Sequence, residues 1–95
     1  GDLRVDRDRY EVTVKGQAVK LTPLEYRLLN TLIKHAGKVV TRRQLLREVW
    51  GETHLDEAHY LRVYMSSLRR KLEENPARPQ FLLTEQNVGY RLRTE

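Results

Sequence analysis

The segment HYLRVYMSSLRRKL, from His59 to Leu72, constrains the fold of this chain most strongly. Its apolar residues recur three and four positions apart, which predicts an amphipathic helix that buries one stripe. The buried stripe consists of Leu61, Met65, Leu68 and Leu72. A helix side exposed only to water usually carries strong helix formers such as Glu, Lys, Gln and Ala. The outer side of this helix carries instead His59, Val63, Ser66, Ser67 and Arg70. This composition raises the question of whether the outer side contacts another molecule. The structural alternative is that the serines are ordinary surface residues and that Val63 packs beneath another part of the chain or against another chain.

The length and composition of the chain are those of one small domain. With 95 residues, of which 39% are hydrophobic, the chain can form one core, so residues 1–95 are predicted to be a single domain. The absence of cysteine excludes disulfides and thiolate metal sites. No segment approaches the ~18 consecutive apolar residues of a membrane span, and no signal-peptide pattern opens the sequence.

The charge of the chain favours an anionic partner. The formal net charge is +5 and the sequence pI is about 9.8, and a pI above about 9 is one feature of nucleic-acid-binding domains. Many basic domains bind nothing anionic, so the arrangement of charge matters more than its sum. The ten residues from Arg62 to Lys71 include four basic residues and no acidic one, which makes the predicted helix locally cationic.

Short strands and one helix are predicted before residue 40. Alternating apolar and polar residues predict an antiparallel meander of three strands, at Leu3 to Asp6, Tyr10 to Val14 and Ala18 to Leu21. Thr22 as N-cap, Pro23 at the first helical position and Glu25 in a capping box predict a helix that continues to about Ala36. Gly37 then ends this helix.

Two further helices and a hairpin are predicted after a short strand at KVV. Thr41 and Gln44 cap a helix from Arg42 to about Trp50. Asp56 is the predicted N-cap of the third helix, which ends near Glu74 because Asn75-Pro76 cannot extend it. The runs FLLTE and GYRLR flank QNV and predict a C-terminal hairpin. A helix pair followed by a hairpin is the pattern of a winged helix-turn-helix, in which the third helix fits the DNA major groove.

Three motifs carry a family resemblance: LTPLEYRLLNTLIKHAGKVVTRRQLLREVWG, YLRVYMSSLRRKLE and the terminal VGYRL. In this order and spacing the chain resembles the C-terminal effector domain of OmpR/PhoB-type bacterial response regulators. The resemblance implies an α+β fold, a winged helix-turn-helix with an N-terminal four-stranded antiparallel sheet, three helices and a C-terminal β-hairpin wing. Within the family, the segment from His59 to Pro79 is most similar to regulators of potassium-uptake genes.

The resemblance also implies the biological setting. Such a domain binds double-stranded DNA as two copies on tandem half-sites, performs no catalysis, needs no cofactor and works in the cytoplasm. A receiver domain would precede Leu3 and is absent from this sequence. A cognate sensor kinase would act through that receiver domain.

The outer side of the third helix supplies the predicted base contacts. Val63 suits a thymine methyl group, and Ser66 and Ser67 suit base edges or phosphates. Arg70 can reach a phosphate or the O6 and N7 atoms of guanine, and His59 lies near the helix start. Relatives often carry arginine where this sequence has the two serines, so specificity is expected to depend partly on water and DNA shape.

The remaining predicted DNA contacts surround this helix, and each has a structural alternative. Arg62 and Arg69 on its flanks suit phosphates or salt bridges within the domain. The resemblance implies a backbone contact for the Trp50 indole, with core packing as the alternative. Thr41, Arg42 and Arg43 open a helix, and helix N-termini attract phosphate, but a solvated surface is the alternative. The wing contributes Thr84, Gln86, Asn87 and Arg91, whereas Glu85 is expected to point away from DNA.

The loop GETHLD, between the second and third helices, is interpreted as a protein contact. Relatives touch RNA polymerase with this loop, and its acidic character disfavours DNA. A merely solvated loop is the alternative. The residues assigned to a polymerase contact are Glu52, Thr53, His54 and Asp56.

A metal site, an enzyme and a protein-interaction module are the alternatives to DNA binding. His54 and His59 are five residues apart across a loop-to-helix boundary, which does not match helical metal-ligand spacing. No glycine-rich phosphate loop, nucleophile elbow or paired carboxylate motif predicts an enzyme. A winged-helix module that binds proteins and not DNA is the main alternative, because the fold alone does not define the function.

Overall fold

A computed structural model describes residues 2–52 and 58–93 of the chain. The first three strands, β1 (Leu3–Asp6), β2 (Glu11–Val14) and β3 (Gln17–Val19), form an antiparallel sheet in the order β1-β2-β3. In this register Val12 lies opposite both Val5 and Val19. The apolar side chains therefore share one face, which packs on the core.

The N-terminal sheet has three strands in the described residues, so the four strands implied by the family resemblance are not found. Only Lys20 and Leu21 separate β3 from Thr22, which already caps the first helix. The chain therefore has no length for another strand between β3 and this helix. The three strands expected from the alternating pattern are confirmed, with small shifts of their ends.

The first helix, α1 (Pro23–Lys34), begins with the predicted capping box. Thr22 Oγ1 accepts from the backbone N–H of Glu25 at 3.3 Å, and the Glu25 carboxylate accepts from the N–H of Thr22 at 2.8 Å. The helix ends two residues before the predicted Ala36, with His35 as C-cap. Gly37 has a φ of +83° and its N–H donates to the Leu92 carbonyl, so the chain turns there onto the last strand.

A short strand and a short helix precede the long third helix. Strand β4 (Val39–Thr41) runs directly into α2 (Arg42–Val49), where Thr41 Oγ1 accepts from the Gln44 N–H at 3.1 Å. The third helix, α3, spans Ala58–Leu72. Its predicted N-cap, Asp56, lies outside the described residues. Helix α3 ends two residues before the predicted Glu74.

The last two strands, β5 (Leu82–Glu85) and β6 (Gly89–Leu92), form the predicted hairpin, which we call the wing. Strand β4 pairs with the other edge of β6 and gives a second three-stranded sheet in the order β4-β6-β5. Gly89 lies opposite Thr41. A Cβ atom at Gly89 would come within 2.0 Å of the Val40 carbonyl oxygen. The close approach of β4 and β6 therefore requires glycine at this position.

All three helices contribute to one core. The predicted stripe of α3, consisting of Leu61, Met65, Leu68 and Leu72, is confirmed, because these side chains are fully buried. They pack with Leu28, Leu29 and Leu32 of α1 and with Leu45, Leu46 and Val49 of α2. Val40, Leu82, Tyr90 and Leu92 close the core from the second sheet. Among the described residues, no helix has the length and apolar character to span a membrane.

Candidate nucleic-acid interface

Four of the five residues predicted on the outer side of α3 are exposed and share one surface. We call this surface the exposed face; its residues are His59, Val63, Ser66 and Arg70. Val63 is 58% exposed although it is a branched apolar residue. Arg70 NH1 lies 3.4 Å from Ser66 Oγ, one helical turn away. None of these four residues is covered by the described part of the chain, so the surface is open to a partner.

Ser67 does not belong to this surface. Its side chain is half-buried and its hydroxyl donates to the Glu25 carboxylate of α1. Lys71, one turn further along α3, places Nζ 2.6 Å from the same carboxylate. Both residues lie on the flank of α3 that faces α1. The predicted contact of Ser67 with a base edge or a phosphate stays a prediction, and the proton of its hydroxyl is already used within the domain.

Glu25 fixes α3 against α1 from within the domain. The residue is only 2% exposed, and burial alone would raise the pKa of its carboxyl group. The hydrogen bonds from Lys71, Ser67 and the Thr22 backbone, together with the Lys71 charge, outweigh burial and lower this pKa to about 2. The carboxylate therefore remains ionised at neutral pH and holds three donors. The sequence predicted Glu25 only as half of a local capping box.

Arg69 occupies the opposite flank of α3, where it bonds to the wing. Its Nε and NH2 atoms donate to the Leu82 carbonyl oxygen at 3.0 and 2.8 Å, and NH2 also donates to Thr84 Oγ1 at 2.7 Å. The guanidinium carbon lies 5.6 Å from the centre of the Tyr90 ring. The two alternatives predicted for Arg69 were a phosphate contact and a salt bridge. Among the described residues Arg69 forms no salt bridge, and its hydrogen bonds join α3 to the wing. The phosphate contact stays a prediction.

Glu73 makes a second connection between α3 and the wing, which the sequence did not indicate. Its buried carboxylate accepts from the backbone N–H groups of Gln80, Phe81 and Leu82 at 2.7 to 2.9 Å. These bonds satisfy the backbone where β5 begins. Together with Arg69, they set the position of the wing relative to the exposed face.

The tip of the wing is polar and exposed. Gln86 and Asn87 are both exposed, and Asn87 has a φ of +63°, a conformation that asparagine tolerates better than most residues. Glu85 pairs with Arg91 at 2.9 Å. This pair directs the Glu85 carboxylate toward Arg91 and partly neutralises the charge of Arg91, which was predicted to contact phosphate.

The residues predicted around α2 divide between packing and exposure. The Trp50 ring is partly buried and packs on Tyr64 of α3, with ring centres 5.5 Å apart. Thr41 uses its hydroxyl as the α2 N-cap. Arg42 is half-buried, whereas Arg43 and Arg62 are exposed. The arginines at the α2 N-terminus therefore lie where an anion would find free backbone N–H groups.

Of the four residues assigned to the polymerase contact, only Glu52 is described. Glu52 is exposed, whereas Thr53, His54 and Asp56 lie outside the described residues. The histidine pair considered as a metal site, His54 and His59, lies partly outside the described residues because it includes His54. In the described part of the chain, no group of three or more histidine or acidic residues is placed to hold a metal ion.

The fold and the exposed face together define a class of protein. A basic helix with one open face, held between two helices and a wing, is the arrangement of winged-helix DNA-binding domains. A family model described as "Transcriptional regulatory protein, C terminal" matches residues 16–92. The chain belongs to this family, and it is an OmpR/PhoB-type DNA-binding domain of the kind found in two-component response regulators.

Individual relatives agree with this assignment. The chain is 49% identical over 90 residues to the KDP operon transcriptional regulatory protein KdpE of Escherichia coli, which covers 95% of this chain and 40% of KdpE. Among solved structures, Thermotoga maritima DrrB, an OmpR/PhoB homologue, superposes with a TM-score of 0.90 at 32% identity over 99% of this chain and 42% of DrrB. The DNA-binding domain of Klebsiella pneumoniae RstA, solved in complex with the RstA box, gives 0.88 at 32% identity over 98% of this chain and 92% of that one. The chain thus spans about two fifths of the length of KdpE and DrrB.

Proposed function

We propose that this domain binds double-stranded DNA in a sequence-specific manner by inserting the exposed face of α3 into the major groove. The observation that carries the proposal is the open surface of His59, Val63, Ser66 and Arg70 on a helix anchored at both flanks. A helix of this kind fits the major groove, where every base pair presents a distinct pattern of donors, acceptors and methyl groups. The RstA domain, which has the same fold, was solved bound to DNA.

The chemistry of the exposed face suggests how it reads bases. Val63 offers a branched apolar surface that suits a thymine methyl group. Arg70 offers two parallel donors that suit guanine O6 and N7. Ser66 is short and lets the helix backbone approach the bases. Because Ser67 is used by Glu25, it is not part of this proposed contact.

Phosphate contacts are proposed for the exposed surroundings of α3. Arg62 lies on its flank, and Arg43 and Arg42 open α2, where the helix N-terminus adds a favourable dipole. The Trp50 indole lies between α2 and α3 and is a further backbone candidate. These contacts position the helix but carry no sequence information of their own.

The wing is proposed to reach the neighbouring minor groove with Gln86 and Asn87. Their amide groups suit the acceptors of that groove, which distinguishes A·T from G·C pairs only coarsely. Thr84 and Arg91 are kept as weaker phosphate candidates because each already has a partner in the domain. The Thr84 hydroxyl accepts from Arg69 and retains its own proton for donation.

The wider setting is proposed from the family. Similarity to KdpE favours control of potassium-uptake genes by a whole protein whose receiver domain is phosphorylated by a sensor kinase. Two copies would occupy tandem half-sites, and residues Glu52 to Asp56 would face RNA polymerase. The proposed location is the cytoplasm. The predicted absence of a cofactor and of enzyme activity is part of this proposal.

The salt dependence of duplex binding tests DNA binding against the alternative of a protein-interaction module. If about six phosphates are neutralised, the logarithm of the association constant for duplex DNA falls with the logarithm of the salt concentration, with a slope of about −5. The measurement is fluorescence anisotropy with duplexes selected from a random pool, between low and high salt. A flat profile, or no binding at low salt, would favour the interaction module.

Selection of bound sequences from the random duplex pool tests whether binding is sequence-specific. We expect enrichment of one half-site motif, repeated in tandem when the whole phosphorylated protein is used. An unenriched pool from a protein that still shows the salt slope would leave only non-specific binding. That result would overturn the assignment of base contacts to Val63 and Arg70.

A further inference from the structure

The wing carries an acidic residue directly beside the tip that is proposed to reach the minor groove. Glu85 is the last residue of β5 and immediately precedes Gln86. Duplex DNA carries one negative charge about every 1.7 Å along its axis, so a free carboxylate at this place would repel the DNA backbone. None of the contacts proposed above gives Glu85 a role.

The register of the wing brings Glu85 next to Arg91. Glu85 lies opposite Gly89 and Arg91 lies opposite Leu83, so the two side chains are diagonal neighbours on one face of the hairpin. Arg91 Nε donates to the Glu85 carboxylate at 2.9 Å. The Glu85 backbone is held as well, because its carbonyl oxygen accepts from the Val88 N–H at 2.9 Å. The carboxylate therefore points along the strand toward Arg91.

This ion pair lies on the face of the wing that is turned away from α3. Side chains alternate between the two faces of a strand, and Thr84, on the other face from Glu85, is the residue that bonds to Arg69 of α3. The side chains of Arg91 and Glu85 are 33% and 35% exposed. Partly exposed pairs of this kind are weak, so a DNA phosphate can compete with Glu85 for the guanidinium group.

We propose that Glu85 withholds Arg91 from the DNA backbone and thereby limits the affinity of a single domain for DNA; this inference rests on the proposed binding of DNA. Glu85 is a positioning residue in this role, because it acts through Arg91 and makes no contact with DNA itself. The wing then meets DNA through the uncharged amide groups of Gln86 and Asn87.

The withheld arginine has a consequence for how the domain finds its site. Phosphate contacts carry no sequence information and supply nearly all of non-specific binding, so one fewer contact weakens binding to every sequence. A domain that binds weakly alone depends on a linked second copy, since linkage makes the second binding event intramolecular. Glu85 therefore makes occupancy of tandem half-sites depend more strongly on the pairing of two copies.

Proton exchange in the free 95-residue chain tests the ion pair itself. The NMR signal of the Arg91 Nε–H group is identified by its absence in Arg91→Gln. This proton is expected to exchange with water roughly two- to fivefold more slowly in the unmodified chain than in Glu85→Gln, the range of a weak exposed pair. Equal exchange rates in the two proteins would show that Glu85 does not hold Arg91, and the proposal would fail without reference to DNA.

The salt dependence of duplex binding tests the effect on DNA. Glu85→Gln frees Arg91 for a phosphate, so the slope of the logarithm of the association constant against the logarithm of the salt concentration is expected to become steeper by about 0.9. Affinity at about 0.1 M salt is expected to rise by roughly five- to tenfold, on a selected duplex and on an unrelated duplex alike. Fluorescence anisotropy measures both quantities.

Glu74→Gln is the matched control for the change in charge. It removes the same charge and frees Lys15 on the N-terminal sheet, not a residue of the wing. Its salt slope is expected to equal that of the unmodified chain, with affinity within about twofold, because charges remote from the DNA are screened by salt. A gain from Glu85→Gln no larger than that from Glu74→Gln would overturn the proposal.

The double variant tests whether Glu85 acts through Arg91. In an Arg91→Gln background, Glu85→Gln is expected to add no further slope, because no guanidinium group remains to be freed. An undiminished gain in that background would mean that the carboxylate repels DNA directly, and the role assigned to Arg91 would be wrong. If the unmodified chain binds no duplex at any salt concentration, the proposed function fails, and the proton-exchange comparison still decides whether Glu85 holds Arg91.

Discussion

Arg69 donates two hydrogen bonds to the carbonyl oxygen of Leu82, through Nε at 3.0 Å and NH2 at 2.8 Å. This contact joins α3, which carries the exposed face, to the first strand of the wing. Glu73 lies four residues after Arg69, directly after the end of α3. Its carboxylate accepts from the backbone N–H of the same Leu82 at 2.8 Å. The backbone N–H and C=O groups of Leu82 are thus both bonded to residues at or just after the end of α3, and these bonds set the position of the wing relative to the exposed face.

Substitution of Arg69 should loosen the wing. Arg69→Lys retains the charge but loses the fork of donors that reaches Leu82 and Thr84 together. We expect DNA affinity to fall by about 1–2 kcal/mol. The reason is that the buried Leu82 carbonyl is left unpaired, which destabilises the wing. Order parameters of the Gln86 and Asn87 amides, measured by NMR, should fall as well. If Arg69 contacts phosphate, Arg69→Lys would instead preserve affinity and leave the wing ordered.

Arg70 and Val63 should determine sequence preference. Arg70→Ala is expected to cost about 1–3 kcal/mol and to relax preference at one base position. Val63→Ser should weaken discrimination at a thymine, because the apolar surface that meets the methyl group is lost. The change in sequence preference is measured by selection from a random duplex pool, and the change in affinity is measured by anisotropy titration. An equal loss on all duplexes would assign Arg70 to phosphate, and an unchanged preference in Val63→Ser would remove that contact.

The sequence predicted the parts of the fold that depend on neighbours along the chain. The apolar stripe of α3, the capping box at Thr22, the N-cap at Thr41 and the wing all follow from local spacing. The role of Ser67 did not, because it depends on Glu25, which is 42 residues away and lies on another helix. A helical pattern shows which residues share a face, but it does not show where a second helix limits that face.

The same reason explains Arg69 and Glu73. Their partners lie in the chain from Gln80 to Thr84, which reaches them only after residues 75–79 turn the chain back. The exposed residues of the site could be predicted because no distant element among the described residues covers them. They are His59, Val63, Ser66 and Arg70. Their assignment to DNA stays a prediction.

The Glu25 carboxylate should make stability depend on pH. Its pKa is lowered to about 2 in the folded state from an ordinary value of 4.5, so the stabilisation is fully present above about pH 4.5. It is lost as pH falls from about 4.5 toward 2. The shift corresponds to about 3 kcal/mol at neutral pH. Urea unfolding should therefore show Glu25→Gln to be less stable than the unmodified protein at pH 7, with a difference that shrinks at pH 3.

Glu74→Gln is the matched control for this measurement. The Glu74 side chain is exposed, and its ion pair with Lys15 has a distance of 3.8 Å, so its removal should matter little at any pH. A Glu25→Gln deficit that is equal at pH 7 and pH 3 would show that the charge of Glu25 does not contribute. The lost capping geometry at Thr22 would then account for the whole effect.

Gly89 should be the most sensitive glycine to substitution, for a purely steric reason. An added Cβ would meet the Val40 carbonyl oxygen at 2.0 Å and the Thr41 Cα at 2.9 Å, and both are backbone atoms that cannot rotate away. Gly89→Ala must therefore push β6 from β4, and we expect the free energy of unfolding to fall by about 3 kcal/mol or more.

Gly16→Ala is the control, because a Cβ there meets nothing within 4 Å and only its φ of +80° opposes the change. Thermal unfolding should show a drop several times larger for Gly89→Ala, since about 1 kcal/mol corresponds to about 4–8 °C in a domain of this size. Equal drops would mean that the pairing of β4 with β6 yields to the added methyl group, and the second sheet would then be looser than its geometry indicates.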